Sequence, residues 1–508
     1  MYRVKSFSWV VLHTLAILLV GINLLTGLRI ATLTHEWLLF FSALLPQGEV
    51  EILHFYSGVG LLALFLTYLL SPSLKQAKRD YLAYSIVLSL LSGVALFKDV
   101  GFIPMLLELH LLFAFTTLLY IVVHISRHFL KNGVDAFKNI SKAKGFKAKE
   151  DLKIFSLFIL LLIVLYALFL GKGAQHKLYV KEISKAISID GVLDEEAWKD
   201  AKELHLRAYG GANFFNGESD VAIKALSDGD TIFFSFVWRD DTKSINFMPL
   251  KKERDAWIVM ESGFYNHNET KYYEDKFALI LAHTPKLSAA GSVHLGPKPI
   301  KERPANWHAK GYHYMSDESI VDMWHWKAVR TNDMFLAEDE FISFYGESYR
   351  GKRRYSAGIY SDPKTAGGYR FNWQWYKKGG ITPKRLPLNA DELQDFQEIN
   401  ATKKPCRANW YDYLPYKKAL DNYSAGTYMP SVIYASNNFE GDKADVMAHA
   451  LWHDGHWHLE MARKLDTGSK YDLAIDKNTY IWVALFDHAQ VAHTRHSLPI
   501  HLVFGEKQ

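Results

Sequence analysis

Cysteine is almost absent: Cys406 is the only one in 508 residues. A single thiol cannot build a disulfide framework, and it cannot supply the Cys-x-x-Cys-His motif that covalent c-type haem needs. A basic patch is also missing, because the net charge of +5 is spread along the chain, which sets nucleic acid aside as a partner. No nucleotide-binding glycine fingerprint, Ser-His-Asp order or cysteine nucleophile is recognisable. Internal repeats and low-complexity tracts are lacking. What is present excludes disorder, since 14% aromatic residues supply ample core material. The apolar content is uneven: runs near 20 residues long end before residue 172, whereas 12 of the 14 tryptophans follow residue 175. The two halves are built for different solvents.

Five apolar segments, at 8–31, 52–70, 81–100, 104–128 and 152–171, each approach the roughly 20 residues that cross a ~30 Å hydrocarbon core. The first follows Arg3 and Lys5 but is too long for a signal peptide and has no small-residue cleavage site, so it reads as an uncleaved anchor. Lys75, Lys78 and Arg79 lie between the second and third segments, and seven lysines from Lys131 to Lys153 lie between the fourth and fifth. The stretch 32–51 has no Lys or Arg. The positive-inside rule then places the N-terminus in the cytoplasm and everything after 172 outside it, in the periplasm of a bacterium with two membranes.

Polar side chains inside such helices are costly unless they serve a function. His13 falls on the first segment, His54 on the second, and His110 and His124 on the fourth. Fourteen helical residues return to nearly the same face about 21 Å further on. With the orientation above, His13 and His124 share the cytoplasmic side, and His54 and His110 share the outer side. A neutral imidazole is a common axial ligand of haem iron, and a helix bundle offers a dry slot for a porphyrin. Two bis-histidine b haems are expected, with Gly21, Gly27, Gly58 and Gly60 either admitting the macrocycle or serving helix packing. His128, beside Arg127, is read as interfacial and His35 as a loop residue.

This arrangement, over 1–172, resembles the di-haem cytochrome b family, which includes membrane subunits of nickel–iron hydrogenases and formate dehydrogenases. The resemblance implies the pairs His13–His124 and His54–His110, and electron exchange with quinone or quinol near one membrane face. A large additional domain departs from that family's pattern.

From about residue 183 the pattern becomes one of short alternating runs, the mark of strands. The clearest are Thr231–Trp238, Lys276–Ala282, Met323–Val329, His458–Lys464, Tyr480–Phe486 and Ile500–Phe504. The fold class expected is an α-helical membrane bundle followed by an all-β sandwich with long loops. Its parts are a transmembrane domain over 1–172, a tether over 173–186 and an exported domain over 187–508.

Ile187–Trp198, reading ISIDGVLDEEAW, looks like the opening strand and turn of family 9 carbohydrate-binding modules and of the haem-binding subunit of ethylbenzene dehydrogenase. Glu274–Leu281, His294–Ile300, Val321–Arg330 and Trp452–Gly468 resemble the second family, over roughly 187–505. That resemblance implies one b haem, held by methionine and lysine, that relays electrons to or from a larger redox partner. Lys327 in the WHWKA segment is the first candidate ligand. His294 stands where many relatives carry methionine. Burial lowers a lysine pKa and frees its lone pair, but Lys327 amid Trp324 and Trp326 also suits a cation–π contact, and His294 a loop hydrogen bond. Met315, Met323, His313 and His325 are alternates, and strand alternation puts Met323, His325 and Lys327 on the face opposite Trp324 and Trp326.

His449, His453, His456 and His458, and His493 with His496, resemble metal tracts but occur around a turn and strands, where surface histidines are common. Asp190, Asp194, Glu195 and Glu196 read as an acidic turn before a calcium site. The function expected is a membrane-bound b-type cytochrome moving electrons between the quinone pool and a periplasmic redox protein or oxidoreductase. The alternatives are a membrane-tethered carbohydrate-binding or sensory module and, ranked lower, an oxidoreductase acting on a small molecule.

Overall fold

The computed structural model describes residues 5–32, 35–41, 44–46, 50–71, 74, 84–97, 103–135, 142–170, 175–261, 269–285, 293–294, 312–313, 315, 319–344, 358–374, 380–396, 404–496 and 498–505. The chain divides into two units, 1–175 with 293–312, and 176–292 with 313–508.

The first unit is helical. Helices α1 (Phe7–Ala31), α2 (Val50–Leu70), α3 (Tyr84–Phe97), α4 (Ile103–Asn132) and α5 (Ala148–Leu170) follow the five apolar segments. Among the described residues four helices are long and apolar enough to cross a membrane, all but α3. The 14 described residues of α3 rise only about 21 Å, and the ends of the expected 81–100 span lie outside the described residues. Five spans were expected; the described chain provides four and one shorter apolar helix. Ser6 caps α1 by accepting from the Trp9 amide at 3.3 Å. Asp151 is buried where two helices begin, accepting from the Ser8 amide at 3.1 Å and the Lys147 amide at 2.7 Å. A carboxylate there answers the unpaired donors of the helix starts. Asn23 Nδ2 donates to Ser57 Oγ at 2.7 Å and ties α1 to α2, while Thr117 Oγ1 donates to Ser85 Oγ at 3.1 Å and ties α4 to α3.

The second unit is built on one twelve-stranded sheet. Its strands are β1 (His176–Glu182), β2 (Leu204–Tyr209), β3 (Glu218–Ser227), β4 (Thr231–Arg239), β5 (Lys276–Ala282), β6 (Val321–Lys327), β7 (Glu338–Ile342), β8 (Ile359–Ser361), β9 (Met447–His453), β10 (His456–Lys464), β11 (Tyr480–Phe486) and β12 (Ile500–Phe504). The order is β8-β7-β6-β5-β11-β12-β1-β3-β4-β10-β9, with β2 added to β3. The two halves of this sheet face each other as in a sandwich. Phe234 of β4 meets Trp324 of β6 at 5.9 Å between ring centres, Phe236 meets Phe277 of β5 at 4.4 Å, and Trp326 meets Trp457 of β10 at 5.0 Å. Opposite the β1–β12 seam, the Ala337 amide donates to the Val446 carbonyl and the Ala448 amide to the Phe335 carbonyl, both at 3.0 Å, which joins the two edges of the sheet. Burying the indoles on one interior face supplies the main driving force for closure.

Two boundaries differ from expectation. The tether proposed over 173–186 contains β1, which runs parallel to both β12 and β3 and sits in the middle of the sheet. Its alternation of buried Leu178 and Val180 with less buried neighbours is only two residues deep, too short to distinguish it from a linker in the sequence. Ile187–Trp198 is not a strand: the chain is irregular until the short helix Glu196–Asp200. Its role is a clasp. The amides of Asp190 and Gly191 donate to Glu460 Oε2 at 3.1 and 2.9 Å, and Trp198 Nε1 donates to Oε1 at 2.8 Å.

Candidate functional site

In the helical unit, α2 and α4 bring the rings of His54 and His110 together. Their ring centres are 6.1 Å apart and the rings are perpendicular, at 89°. Two ring nitrogens each about 2 Å from one shared metal leave ring centres about 6 Å apart, so the spacing fits a bis-histidine site.

Each ring is held in the same way. Thr26 Oγ1 of α1 is 3.0 Å from His54 Nδ1, and Ser92 Oγ of α3 is 2.9 Å from His110 Nδ1. Thr26 spends its own hydrogen on the Ile22 carbonyl at 2.6 Å, and Ser92 spends its hydrogen on the Ser89 carbonyl at 3.0 Å. A hydroxyl already donating to its own helix can only accept from the imidazole. Both histidines therefore carry their proton on Nδ1, and both Nε2 atoms keep the lone pair that a metal requires. A glycine follows each hydroxyl residue. A Cβ on Gly27 would stand 3.0 Å from His54 Cε1, and one on Gly93 would stand 3.3 Å from His110 Cε1. The Thr26-Gly27 and Ser92-Gly93 dipeptides, one on each neighbouring helix, thus cradle the two rings alike. Sequence reading named Gly27 but missed Thr26, Ser92 and Gly93, although a hydroxyl residue followed by glycine within an apolar helix was the available signal.

One turn beyond Thr26, Arg29 is fully buried. Its Nη1 donates to Thr32 Oγ1 at 2.6 Å, whereas Nε and Nη2 have no hydrogen-bond partner among the described residues. Buried unpaired donors of this kind call for an anionic acceptor.

His13 and His124, expected as the second pair, lie within electrostatic reach of each other. His13 stacks on Trp9 at 4.5 Å, and His124 sits 5.4 Å from the Tyr120 ring and 4.7 Å from the His128 ring.

In the sheet unit, β6 places Met323, His325 and Lys327 on the face opposite Trp324 and Trp326, which point into the core. Lys327 is neither exposed nor stacked on the indoles. Its Nζ is 2.7 Å from Glu338, which also takes Lys443 at 3.2 Å and the Tyr369 hydroxyl at 2.7 Å. Burial works to raise the Glu338 carboxyl, but Lys327, Lys443 and Arg330 hold it well below the ordinary range. Burial likewise pulls Lys327 below its ordinary value, against the attraction of Glu338. An ammonium held in this network has no lone pair to offer. His325 is different. Its Nδ1 is 3.5 Å from Glu340, its Nε2 is buried without a partner among the described residues, and burial followed by the charge of Lys327 pushes its pKa down to about 3. A carboxylate behind one nitrogen and a free second nitrogen is the usual arrangement of a metal-binding histidine. Met315 and Met323 share a buried cluster with Tyr480 and Trp482 next to this face. The side chains of His294 and His313 lie outside the described residues.

The histidines of the two tracts singled out in the sequence have structural partners. His449 stacks on Phe335 at 4.2 Å and contacts the Asp190 carbonyl at 2.7 Å. His453 and His458 stack at 3.9 Å across the β9–β10 hairpin, whose Asp454-Gly455 turn has positive φ at both residues. His496 accepts from the Val483 amide at 3.0 Å and meets the Leu498 carbonyl at 2.9 Å, and His493 meets the Thr494 carbonyl at 2.7 Å. Asp190 accepts from the Val192 amide and Glu195 from the Ser188 amide, as an acidic turn does.

No curated protein matches the chain. The ethylbenzene dehydrogenase family model matches residues 195–497, which contain the WHWKA strand and all but the first and last of the sheet's twelve strands. Since that match covers more than half of the chain, the protein belongs to the ethylbenzene dehydrogenase family.

Proposed function

We propose that this protein is a membrane-anchored b-type cytochrome that moves electrons between the quinone pool and a periplasmic redox partner. On this reading His54 and His110 hold one haem, and His13 and His124 hold a second. The N-terminus is cytoplasmic and the ethylbenzene dehydrogenase-related unit is exported. The observation that carries the reading is the His54–His110 pair, with matched ring spacing and both Nδ1 atoms committed to hydroxyls. Arg29, whose Nε and Nη2 have no hydrogen-bond partner among the described residues, lies a turn beyond Thr26 and suits the carboxylates of a haem. Haem iron supplies the one-electron redox change, and the surrounding side chains supply ligation, dielectric and hydrogen bonding.

A third haem belongs on the outer face of β6. Lys327 and His294 are its ligands by family resemblance. The geometry favours His325, because Lys327 would first have to leave Glu338 and lose a proton. The test is haem stoichiometry by pyridine haemochrome and reduced-minus-oxidised spectra on the detergent-purified full-length chain. About three b haems are expected, with one lost in His54→Ala and one in His325→Ala. Loss in Lys327→Ala with retention in His325→Ala would restore the lysine assignment. Glycan binding without a haem spectrum would overturn the proposal in favour of a tethered binding module.

A further inference from the structure

The sheet unit buries a cluster of four aspartates at the edge formed by β6, β7 and β8, and three of them adjoin one arginine. Asp322 is the second residue of β6, Asp339 lies on β7, Asp362 follows β8, and Asp472 comes from the loop between β10 and β11. Arg463 of β10 reaches them through Nη1, which is 2.6 Å from Asp322 Oδ2, 3.4 Å from Asp339 Oδ2 and 3.6 Å from Asp472 Oδ2. One guanidinium faces three carboxyl groups, and the fourth, Asp362, adjoins Asp339 and Asp472. Lys443, which acts electrostatically on Asp362, is committed to Glu338 and to Ser361 Oγ.

The oxygens facing away from Arg463 are the informative ones. Asp322 Oδ1, Asp339 Oδ1, Asp472 Oδ1 and both oxygens of Asp362 are buried without a hydrogen-bond partner among the described residues. Asp362 is 3% exposed. Asp339, Asp362 and Asp472 each offer one oxygen, and these oxygens lie within 4.8 Å of one another. Unpaired buried carboxylates are among the costliest groups in a folded protein. An ion with metal–oxygen bonds of about 2.3–2.6 Å spans ligands at this separation.

We propose that Asp339, Asp362 and Asp472 form a calcium site that pins β7, the end of β8 and the 465–476 loop together. The donor set is all oxygen, which disfavours zinc and other nitrogen- or sulfur-seeking metals. Magnesium is disfavoured because it prefers one or two carboxylates with several retained waters. Asp322, already engaged by Arg463 and by the Leu473 amide at 3.0 Å, is a positioning residue that holds the loop against the site. This site is independent of the haem assignments.

The competing occupant is a proton, since burial and the neighbouring Asp472 push Asp362 up to about 8. The two separate cleanly in the full-length protein. After EDTA treatment and gel filtration, added calcium should bind at one ion per chain by equilibrium dialysis and raise the melting temperature. Terbium should replace it and emit on tryptophan excitation, because Trp324 lies 5.0 Å beneath the Arg463 guanidinium. Asp362→Asn should abolish the calcium response. It should leave the chelated protein as stable or more stable, since an amide donor then faces Asp472. A melting temperature indifferent to EDTA and calcium at neutral pH, with no retained ion, would overturn the proposal and leave shared protons as the occupant. So would an Asp362→Asn variant that still binds calcium and terbium as the native chain does.

Discussion

The helical unit and the sheet unit bury polar groups in opposite ways. Around His54 and His110 each hydroxyl satisfies its own helix first and then accepts from an imidazole, so the site is neutral and both Nε2 atoms stay available. Behind β6 the groups are charged and answer one another: Lys327 and Lys443 with Glu338, Arg330 with Glu274. A neutral, locally satisfied site can accept a metal without first breaking an ion pair, whereas a closed ionic network must be opened before any member can serve as a ligand. This contrast explains why the same kind of sequence reading leads to a well-formed pair in the helices and to a displaced candidate in the sheet.

The strongest way to break the comparison is Glu338→Gln, which strands two buried ammonium groups. We expect a loss of about 3–5 kcal/mol, measured by denaturant unfolding, with the spectra of the membrane haems unchanged. An effect under about 1 kcal/mol, as for an exposed pair, would mean the network is solvated.

A smaller loss should follow acid. Burial pushes His496 down to about 4, so its stabilising contribution is complete above the ordinary histidine pKa of about 6.5. It is lost as pH falls through that value toward 4, by roughly 3 kcal/mol at one pKa unit per 1.36 kcal/mol. Unfolding free energy measured against pH should fall less steeply in His496→Gln than in the native chain.

Finer still, Thr26→Val and Ser92→Ala remove the acceptors that orient the two rings. Such outer-shell changes cost about 10–100-fold in metal affinity, to be read here as haem retention during detergent exchange. Equal losses in the two variants would sharpen the symmetry; no loss in either would remove the tautomer argument. Smallest in stability, and most selective, is the pair Gly21→Ala and Gly27→Ala. Among the described residues nothing lies within 4 Å of a Cβ at Gly21, whereas one at Gly27 meets His54. Gly21→Ala should therefore gain up to about 1 kcal/mol of helix stability, and only Gly27→Ala should perturb one haem spectrum.

Much of this architecture was legible in the order of residues. Apolar length identified all five helices, and alternation located the strands at 231–239, 276–282, 480–486 and 500–504 with ends in error by no more than one residue. The strand expected over 323–329 begins two residues earlier, yet the division of its faces was read correctly, with Met323, His325 and Lys327 on one side and Trp324 and Trp326 on the other. Depth along the helices paired His54 with His110 because a helix has a constant rise. The short β1 escaped notice, and so did Glu338 and the aspartates at 322, 339, 362 and 472. Each of these takes its meaning from a partner far away in the chain.

Periodicity, apolar length and residue chemistry are local, so the sequence by itself determined the helices, most strands, the faces of those strands and the list of residues able to ligate a metal. Burial and partnership are not local. Only the tertiary structure decided that Lys327 is held by Glu338, that His325 Nε2 has no partner among the described residues, and that three scattered aspartates share one arginine. The free energy of a charge depends on the groups that replace its water, and the fold chooses those groups.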